Sequence, residues 1–136
     1  MSEERIAERL PGWGVVTFLD ILGWKGIYNR HEAPLDTLRG LIDHIDTAKA
    51  QTRGLIPGGA TITIKSISDT IVILTHCSPK EAIGAINAHG VLCCAAIPYS
   101  IEKGIPVRGA TSAGEFDNSD NAFVGKAIDE AAAWHE

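Results

Sequence analysis

Two β-rich segments separated by only four residues constrain the fold of this chain more than any other feature. Residues 61–65 alternate polar and apolar side chains with the two-residue period of a strand, and residues 70–74 form a continuous apolar run. The short polar stretch between them leaves room only for a turn. The two segments are therefore predicted to form a β-hairpin, with Asp69 at its tip or just past it.

The hairpin is flanked on each side by a strand and a helix. The same periodicities predict strands at 14–20 and 105–112. They also predict three helices. The first covers about 35–51, the second begins at Pro79 and is interrupted near Pro98, and the third runs from about Phe123 to the end. This order predicts an α+β fold, a ferredoxin-like βαββαβ sandwich with a mostly antiparallel sheet and helices packed on it. A length of 136 residues indicates one domain, residues 1–136.

Composition narrows the classes of protein that this chain can belong to. A net charge of -5 disfavours a general nucleic-acid binder, because phosphate backbones require a basic surface. Three cysteines without metal-ligand spacing, and a polar N-terminus, indicate a reducing, cytoplasmic environment. No apolar stretch approaches the ~20 residues that a bilayer requires, so no membrane association is expected.

Asp20 and Asp69 are the candidate functional pair, because each interrupts or ends an otherwise apolar strand. If the first strand lies beside the hairpin, both carboxylates emerge at the same end of the sheet. Two converging carboxylates form a hard-oxygen site suited to Mg²⁺ or Mn²⁺. The alternative is that both are turn residues, since aspartate also favours turns and caps.

Four segments resemble the signature motifs of class III adenylate and guanylate cyclase catalytic domains, in the same order. Residues 18–24 (Phe-Leu-Asp-Ile-Leu-Gly-Trp) are similar to the first signature. Residues 64–70 are similar to the hairpin signature, with Ser68 in place of the usual glycine. Residues 107–114 resemble the later strand motif, and residues 125–132 resemble the start of the last signature helix. Together the four matches cover most of the chain.

The resemblance implies a site for a nucleoside triphosphate and two metal ions, Mn²⁺ or Mg²⁺. Asp20 and Asp69 would bind the metals, with the backbone carbonyl of Ile21 as a further ligand. Arg108 matches an arginine that contacts the triphosphate. One ion would lower the pKa of the ribose 3′-hydroxyl, and the other would hold the polyphosphate as pyrophosphate leaves.

The resemblance also implies residues that bind the rest of the substrate. The loop after the first strand would lie along the phosphates, where backbone amides near Gly23 or the side chain of Lys25 would contact them. Lys65 stands where adenylate cyclases keep an adenine-reading lysine, but Ala122 replaces its acidic partner. The Glu and Cys pair of guanine readers is absent too, so a purine is not clearly specified.

The chain departs from the family pattern at its last helix. Asp129 and Ala133 stand where the family has an asparagine and the arginine that stabilises the transition state. Either the catalytic cation comes from elsewhere, with Arg30 and Lys126 as candidates, or turnover is slow. The family continues beyond the position of Glu136 with further strands, which leaves open a truncated domain or a minimal version of it.

A small catalytic domain with a divergent segment at 108–115 looks most like the Pycsar pyrimidine cyclases, which are bacterial anti-phage enzymes. The resemblance implies CTP or UTP as substrate, a head-to-tail homodimer, and a separate effector that binds cyclic CMP or cyclic UMP. The alternatives are an adenylate or guanylate cyclase, a degenerate cyclase-like domain that binds a nucleotide or partner without catalysis, and a plain ferredoxin-like dimerisation module.

Overall fold

The computed structural model describes residues 12–29, 31–56, 60–119, 122–124, 129 and 131. The strands and helices are, in chain order, β1 (Gly12–Ile21), α1 (Pro34–Ala48), β2 (Ile62–Ile67), β3 (Thr70–His76), α2 (Ala82–Glu102), β4 (Val107–Ser119) and β5 (Ala122–Val124). Short 3₁₀ turns lie at Ile27–Asn29, Lys49–Thr52 and Pro79–Glu81. The predicted hairpin is confirmed as β2 and β3, with a two-residue turn at Ser68 and Asp69.

The strands form one antiparallel sheet in the order β2-β3-β1-β4-β5. β1 lies in the middle and pairs with β3 on one side and with β4 on the other. Helices α1 and α2 pack on each other, and α2 packs on the sheet. The α+β architecture expected from the sequence is confirmed, and the arrangement fits a ferredoxin-like fold.

Each face of the sheet has its own apolar cluster, because successive residues of a strand point to opposite faces. On the helical face, Leu19 and Ile21 of β1 are buried with Leu41 of α1 and Leu92 of α2. On the opposite face, buried side chains of β1, β3 and β4 form a smaller cluster with Ala131 near the end of the chain. Alternate residues of β1 therefore lie on opposite faces of the sheet, and Asp20 is on the face away from the helices.

Helix α2 continues through Pro98, so the predicted interruption is wrong. Proline lacks the amide hydrogen that would bond to the carbonyl four residues earlier, here that of Cys94. Both Pro98 and Cys94 are exposed, so water can reach that carbonyl. The hydroxyl of Ser100 donates to the carbonyl of Ile97 at 2.8 Å, which adds a hydrogen bond in the last turns.

Strand β4 is longer than predicted. Residues 117–119 pair with residues 122–124 of β5, where a polar loop and the start of a helix were expected. Polar composition favours a loop locally, but a neighbouring antiparallel strand supplies hydrogen bonds that composition does not reveal. Asp129 and Ala131 are helical, and residues 125–128, 130 and 132–136 of the predicted last helix lie outside the described residues.

The segment Pro79–Glu102, which includes α2, is long and apolar enough to cross a membrane by length and composition alone. The expectation that no apolar stretch reaches this length is therefore wrong. In the structure, Ala88, Leu92 and Ala96 of this helix are buried in the core with α1 and the sheet.

Candidate functional site

Asp20 lies near the end of the central strand, with a neighbour on each side. It is directly opposite Thr70 on β3 and Arg108 on β4. Residues that are directly opposite in an antiparallel pair point to the same face, so all three side chains lie on the face away from the helices. Asp20 is partly buried and Arg108 is exposed. The structure thus brings the predicted metal ligand and the predicted phosphate-binding arginine next to each other.

Asp69 reaches the same end of the sheet through the hairpin turn. The amide of Ile21 donates a hydrogen bond to the carbonyl of Asp69 at 2.8 Å. In this type of antiparallel pair both backbone groups of a residue point toward the partner, so the Ile21 carbonyl also faces the turn. The backbones of the two aspartates predicted as a pair are therefore diagonal neighbours on adjacent strands, and the predicted carbonyl ligand is on the side of Asp69.

The turn that carries Asp69 has an unusual backbone. Ser68 adopts a positive φ of 55°. Glycine is the residue that tolerates this region without steric conflict between its side chain and the backbone. The turn therefore has the conformation that favours the glycine found in the cyclase hairpin signature, although this chain has a serine there.

The loop after β1 lies beside the start of β4. The amide of Leu22 donates to the carbonyl of Pro106 at 2.8 Å, which holds the loop to the sheet. Gly23 and Gly26 both have positive φ, of 69° and 85°. Gly23 and Lys25 are exposed, so backbone and a cation from this loop are accessible near Asp20.

Lys65 lies on the same sheet face as Asp20, two strands away and offset by two residues along the strand direction. It is opposite Val72 of β3, which is opposite Phe18 of β1. Two strand spacings and one two-residue step put the Cα atoms of Lys65 and Asp20 roughly 12 Å apart. This separation suits two ends of one ligand of nucleotide size rather than two ligands of one metal ion.

The donors at this end of the sheet fit a hard divalent cation only in part. Two carboxylates and a carbonyl are oxygen ligands of the kind that Mg²⁺ and Mn²⁺ prefer. Among the described residues, no three histidines, cysteines or acidic residues come together as a metal-binding group. Magnesium usually keeps water and takes substrate phosphates as ligands. The set therefore suits an ion that is shared with a bound polyphosphate.

The alternative cations that the sequence suggested, Arg30 and Lys126, lie outside the described residues, as does Ala133. Asp129 is helical and exposed. Within the described part of the site, Arg108 and Lys25 are the predicted positive side chains near Asp20.

A buried polar network inside the domain was not anticipated from the sequence. Thr17 Oγ1 lies 2.7 Å from His89 Nδ1, and Thr75 Oγ1 lies 2.8 Å from His89 Nε2. A third hydroxyl, Thr111 Oγ1, lies 2.7 Å from Thr17 Oγ1. Burial lowers the pKa of His89 to about 4, so the ring is neutral at physiological pH.

This network is structural rather than part of the site. His89 is fully buried and faces the helical side of the sheet, whereas Asp20 faces the opposite side. A neutral imidazole has one donor and one acceptor, and the two threonine hydroxyls complement both. Periodicity could not reveal the network, because its four elements meet only in the folded chain.

Comparison with known proteins does not identify a family. No protein-family model matches the chain, and no curated protein matches its sequence.

Proposed function

We propose that this chain is a nucleotide cyclase domain that converts a nucleoside triphosphate into a 3′,5′-cyclic nucleotide and pyrophosphate, with CTP or UTP as the favoured substrate. The observation that carries the proposal is the hydrogen bond between the Ile21 amide and the Asp69 carbonyl. It joins the two acidic motifs at one end of the sheet, as a shared metal site requires.

Each predicted residue has a distinct role in this proposal. Asp20, Asp69 and the Ile21 carbonyl would hold Mn²⁺ or Mg²⁺, which activates the ribose 3′-hydroxyl and neutralises the polyphosphate. Arg108 would bind the phosphates from the neighbouring strand, and Lys25 would approach them from the loop. In phosphoryl transfer the protein contributes mainly positioning and charge stabilisation, so a site with few cations is sufficient for slow turnover.

Two further observations support the proposal. The positive φ of Ser68 is the conformation for which the family's glycine is suited. Lys65 lies on the same sheet face as Asp20, at a distance that a nucleotide can span. A cytoplasmic setting and a separate effector that binds the cyclic product belong to the same proposal, as does a head-to-tail homodimer.

The decisive experiment supplies ATP, GTP, CTP and UTP separately, each with Mn²⁺, and identifies the products by mass spectrometry. We expect a cyclic pyrimidine nucleotide. Asp20→Asn and Asp69→Asn should each lower the rate by at least about 100-fold, because each removes a metal-binding charge at nearly constant volume. Asp43→Asn is the matched control, since Asp43 is exposed on α1, away from the sheet.

The possible outcomes test different parts of the proposal. Formation of cyclic AMP or cyclic GMP would support the cyclase activity but contradict the preference for a pyrimidine substrate. Wild-type rates in folded Asp20→Asn or Asp69→Asn protein would refute the proposed metal site.

A second candidate is a degenerate domain that binds a triphosphate without converting it. The exposed Asp129, which stands where the family has an asparagine, favours this candidate, as does Ala133 in the place of the transition-state arginine. Binding of a fluorescent triphosphate that requires Mn²⁺ and both Asp20 and Asp69, without any cyclic product after long incubation, would establish it.

A further inference from the structure

Helix α2 is apolar around nearly its whole circumference, although only six of its 21 residues are buried. No Asp, Glu, Lys or Arg occurs in residues 82–101. A helix that is apolar on all sides is normally covered on all sides. Here the inner half packs in the core, and the outer half is exposed in the described part of the chain.

The exposed positions form one continuous surface, which we name the outer face of α2. Its members are Ile83, Ile86, Asn87, Gly90, Cys94, Ile97, Pro98 and Ile101. At 100° per residue these positions fall within an arc of about 120°. Asn87 is the only polar side chain among them. The face therefore runs the length of the helix as an uncharged apolar stripe.

In the described part of the chain, packing does not require a glycine at position 90, in the middle of the outer face. A Cβ added at Gly90 would meet nothing within 4 Å, whereas one at Gly40 would meet Tyr99 and one at Gly84 would meet the Leu55 carbonyl. Glycine destabilises a helix interior relative to alanine. Backbone packing therefore requires glycine at Gly84, and the hydroxyl of Tyr99 lies close to Gly40. Gly90 instead suits the close approach of a second helix from outside.

The spacing of the outer face is nearly symmetric about the level of residue 92. Ile83 and Ile101 lie nine residues on either side of it, Gly90 and Cys94 lie two residues on either side, and Ile86 and Ile97 follow the same pattern to within one residue. Two such helices that cross antiparallel on a two-fold axis would place large side chains at both ends and small ones at the centre. This self-complementarity is what an isologous interface requires.

We propose that the outer face of α2 binds the same face of a second copy of this chain, with the two helices antiparallel. In the dimer, Ile83 of one copy lies against Ile101 of the other, and Gly90 lies against Cys94. The site described above is at one end of the sheet, with Asp20 on the face away from the helices, so this interface is separate from it. The inference therefore does not depend on the proposed catalytic activity, and this interface would be additional to the head-to-tail homodimer of that proposal.

The area of the outer face approaches that of a small dimer interface. The isoleucines at 83, 86, 97 and 101 are 76%, 42%, 39% and 62% exposed. At about 180 Å² for a fully exposed isoleucine they present about 400 Å² per copy, which lies within the about 300–600 Å² of the largest apolar patch on a typical monomer. Two copies would bury about 800 Å² from isoleucine alone. The flanking residues raise this toward the about 1,200 Å² at the lower end of specific interfaces.

A second copy fits the outer face better than a lipid surface does. Helices that lie on membranes combine an apolar face with a polar face rich in Lys and Arg. The opposite face of α2 is instead buried in its own domain, and its ends carry Glu81 and Glu102 together with Lys80 and Lys103. The helix therefore offers no basic face to anionic lipid headgroups.

Sedimentation velocity over a dilution series tests the oligomeric state. Ile97→Glu should weaken self-association by at least about tenfold, because it places a charge in an apolar contact. Ile83→Lys is the second variant, since its position is the most exposed and the substitution is the least able to disturb folding. Leu35→Glu is the matched control, because Leu35 is an exposed apolar residue on α1. Unchanged association in both α2 variants would overturn the proposal.

Cysteine pairing tests the orientation. Ile83→Cys and Ile101→Cys are made separately in a background of Cys77→Ser, Cys93→Ala and Cys94→Ser. We expect an oxidised mixture of the two variants to form a covalent dimer, whereas neither variant alone forms one. Cross-linking of each variant with itself would indicate parallel helices and would refute the proposed geometry. Binding of wild-type protein to anionic vesicles, with loss of that binding in Ile97→Glu and no self-association, would assign the face to lipid instead.

Discussion

The buried histidine makes a quantitative prediction about stability against pH. His89 has a pKa of about 4 in the folded protein, because burial disfavours the charged ring, and an ordinary value of 6.5 when the chain is unfolded. The unfolded chain therefore binds more protons than the folded chain between these two values. The contribution to stability is fully present above pH 6.5 and is lost as the pH falls toward 4.

The size of the effect follows from the two pKa values. Between about pH 7.5 and pH 5, the free energy of unfolding should fall by about 2 kcal/mol from His89 alone. Below about pH 4 the loss should reach about 3 kcal/mol. These values are a large part of the stability of a small domain, which is commonly about 5–15 kcal/mol.

Urea unfolding at the two pH values, followed by circular dichroism, measures this loss. The variant for comparison is His89→Gln, because an amide keeps one donor and one acceptor for Thr17 and Thr75 but does not titrate. It should be less stable than wild type at pH 7.5 and should lose about 2 kcal/mol less on acidification. His44→Gln is the control, since His44 is exposed on α1. An equal loss in wild type and His89→Gln would refute the reasoning.

Three further substitutions test other parts of the fold. Ser68→Gly should raise the free energy of unfolding by about 0.5–1 kcal/mol, because it relieves the positive φ of the hairpin turn; a lower urea midpoint would contradict this. Gly109→Ala should lower stability by about 1–3 kcal/mol, since its methyl group would meet the Phe18 carbonyl across β1 and β4; wild-type stability would mean that the strands separate easily there. Leu92→Ala should lower the free energy of unfolding by about 2–5 kcal/mol, because it leaves a cavity under α2. If thermal unfolding shows a smaller loss, the surrounding core has collapsed into the cavity.

The sheet and α1 could be predicted because their local patterns and their tertiary surroundings agree. Leu38, Leu41, Ile45 and Ala48 recur at helical spacing, and all four are buried in the core. The hairpin likewise follows from two strand-like runs with too little chain between them for any other connection. Once the hairpin and the order of elements are known, Asp20 and Asp69 are constrained to one end of the sheet.

The features that escaped prediction depend on contacts between distant parts of the chain. The pairing of Arg108 with Asp20 requires the register of β1 and β4, which no local pattern specifies. His89 is buried only because Thr17 and Thr75 supply hydroxyls from two strands. Pro98 is a helix breaker in general, but its exposed position in α2 makes it tolerable.

The two aspartates stand on parts of the fold with different freedom to move. Asp20 is held by hydrogen-bonded strands on both sides, so its backbone can shift only if two ladders open together. Asp69 is in a two-residue turn, and its carbonyl accepts a hydrogen bond from the Ile21 amide of β1. In the proposed site, Asp20 and Arg108 would therefore keep a constant spacing, whereas the position of Asp69 would be less constrained.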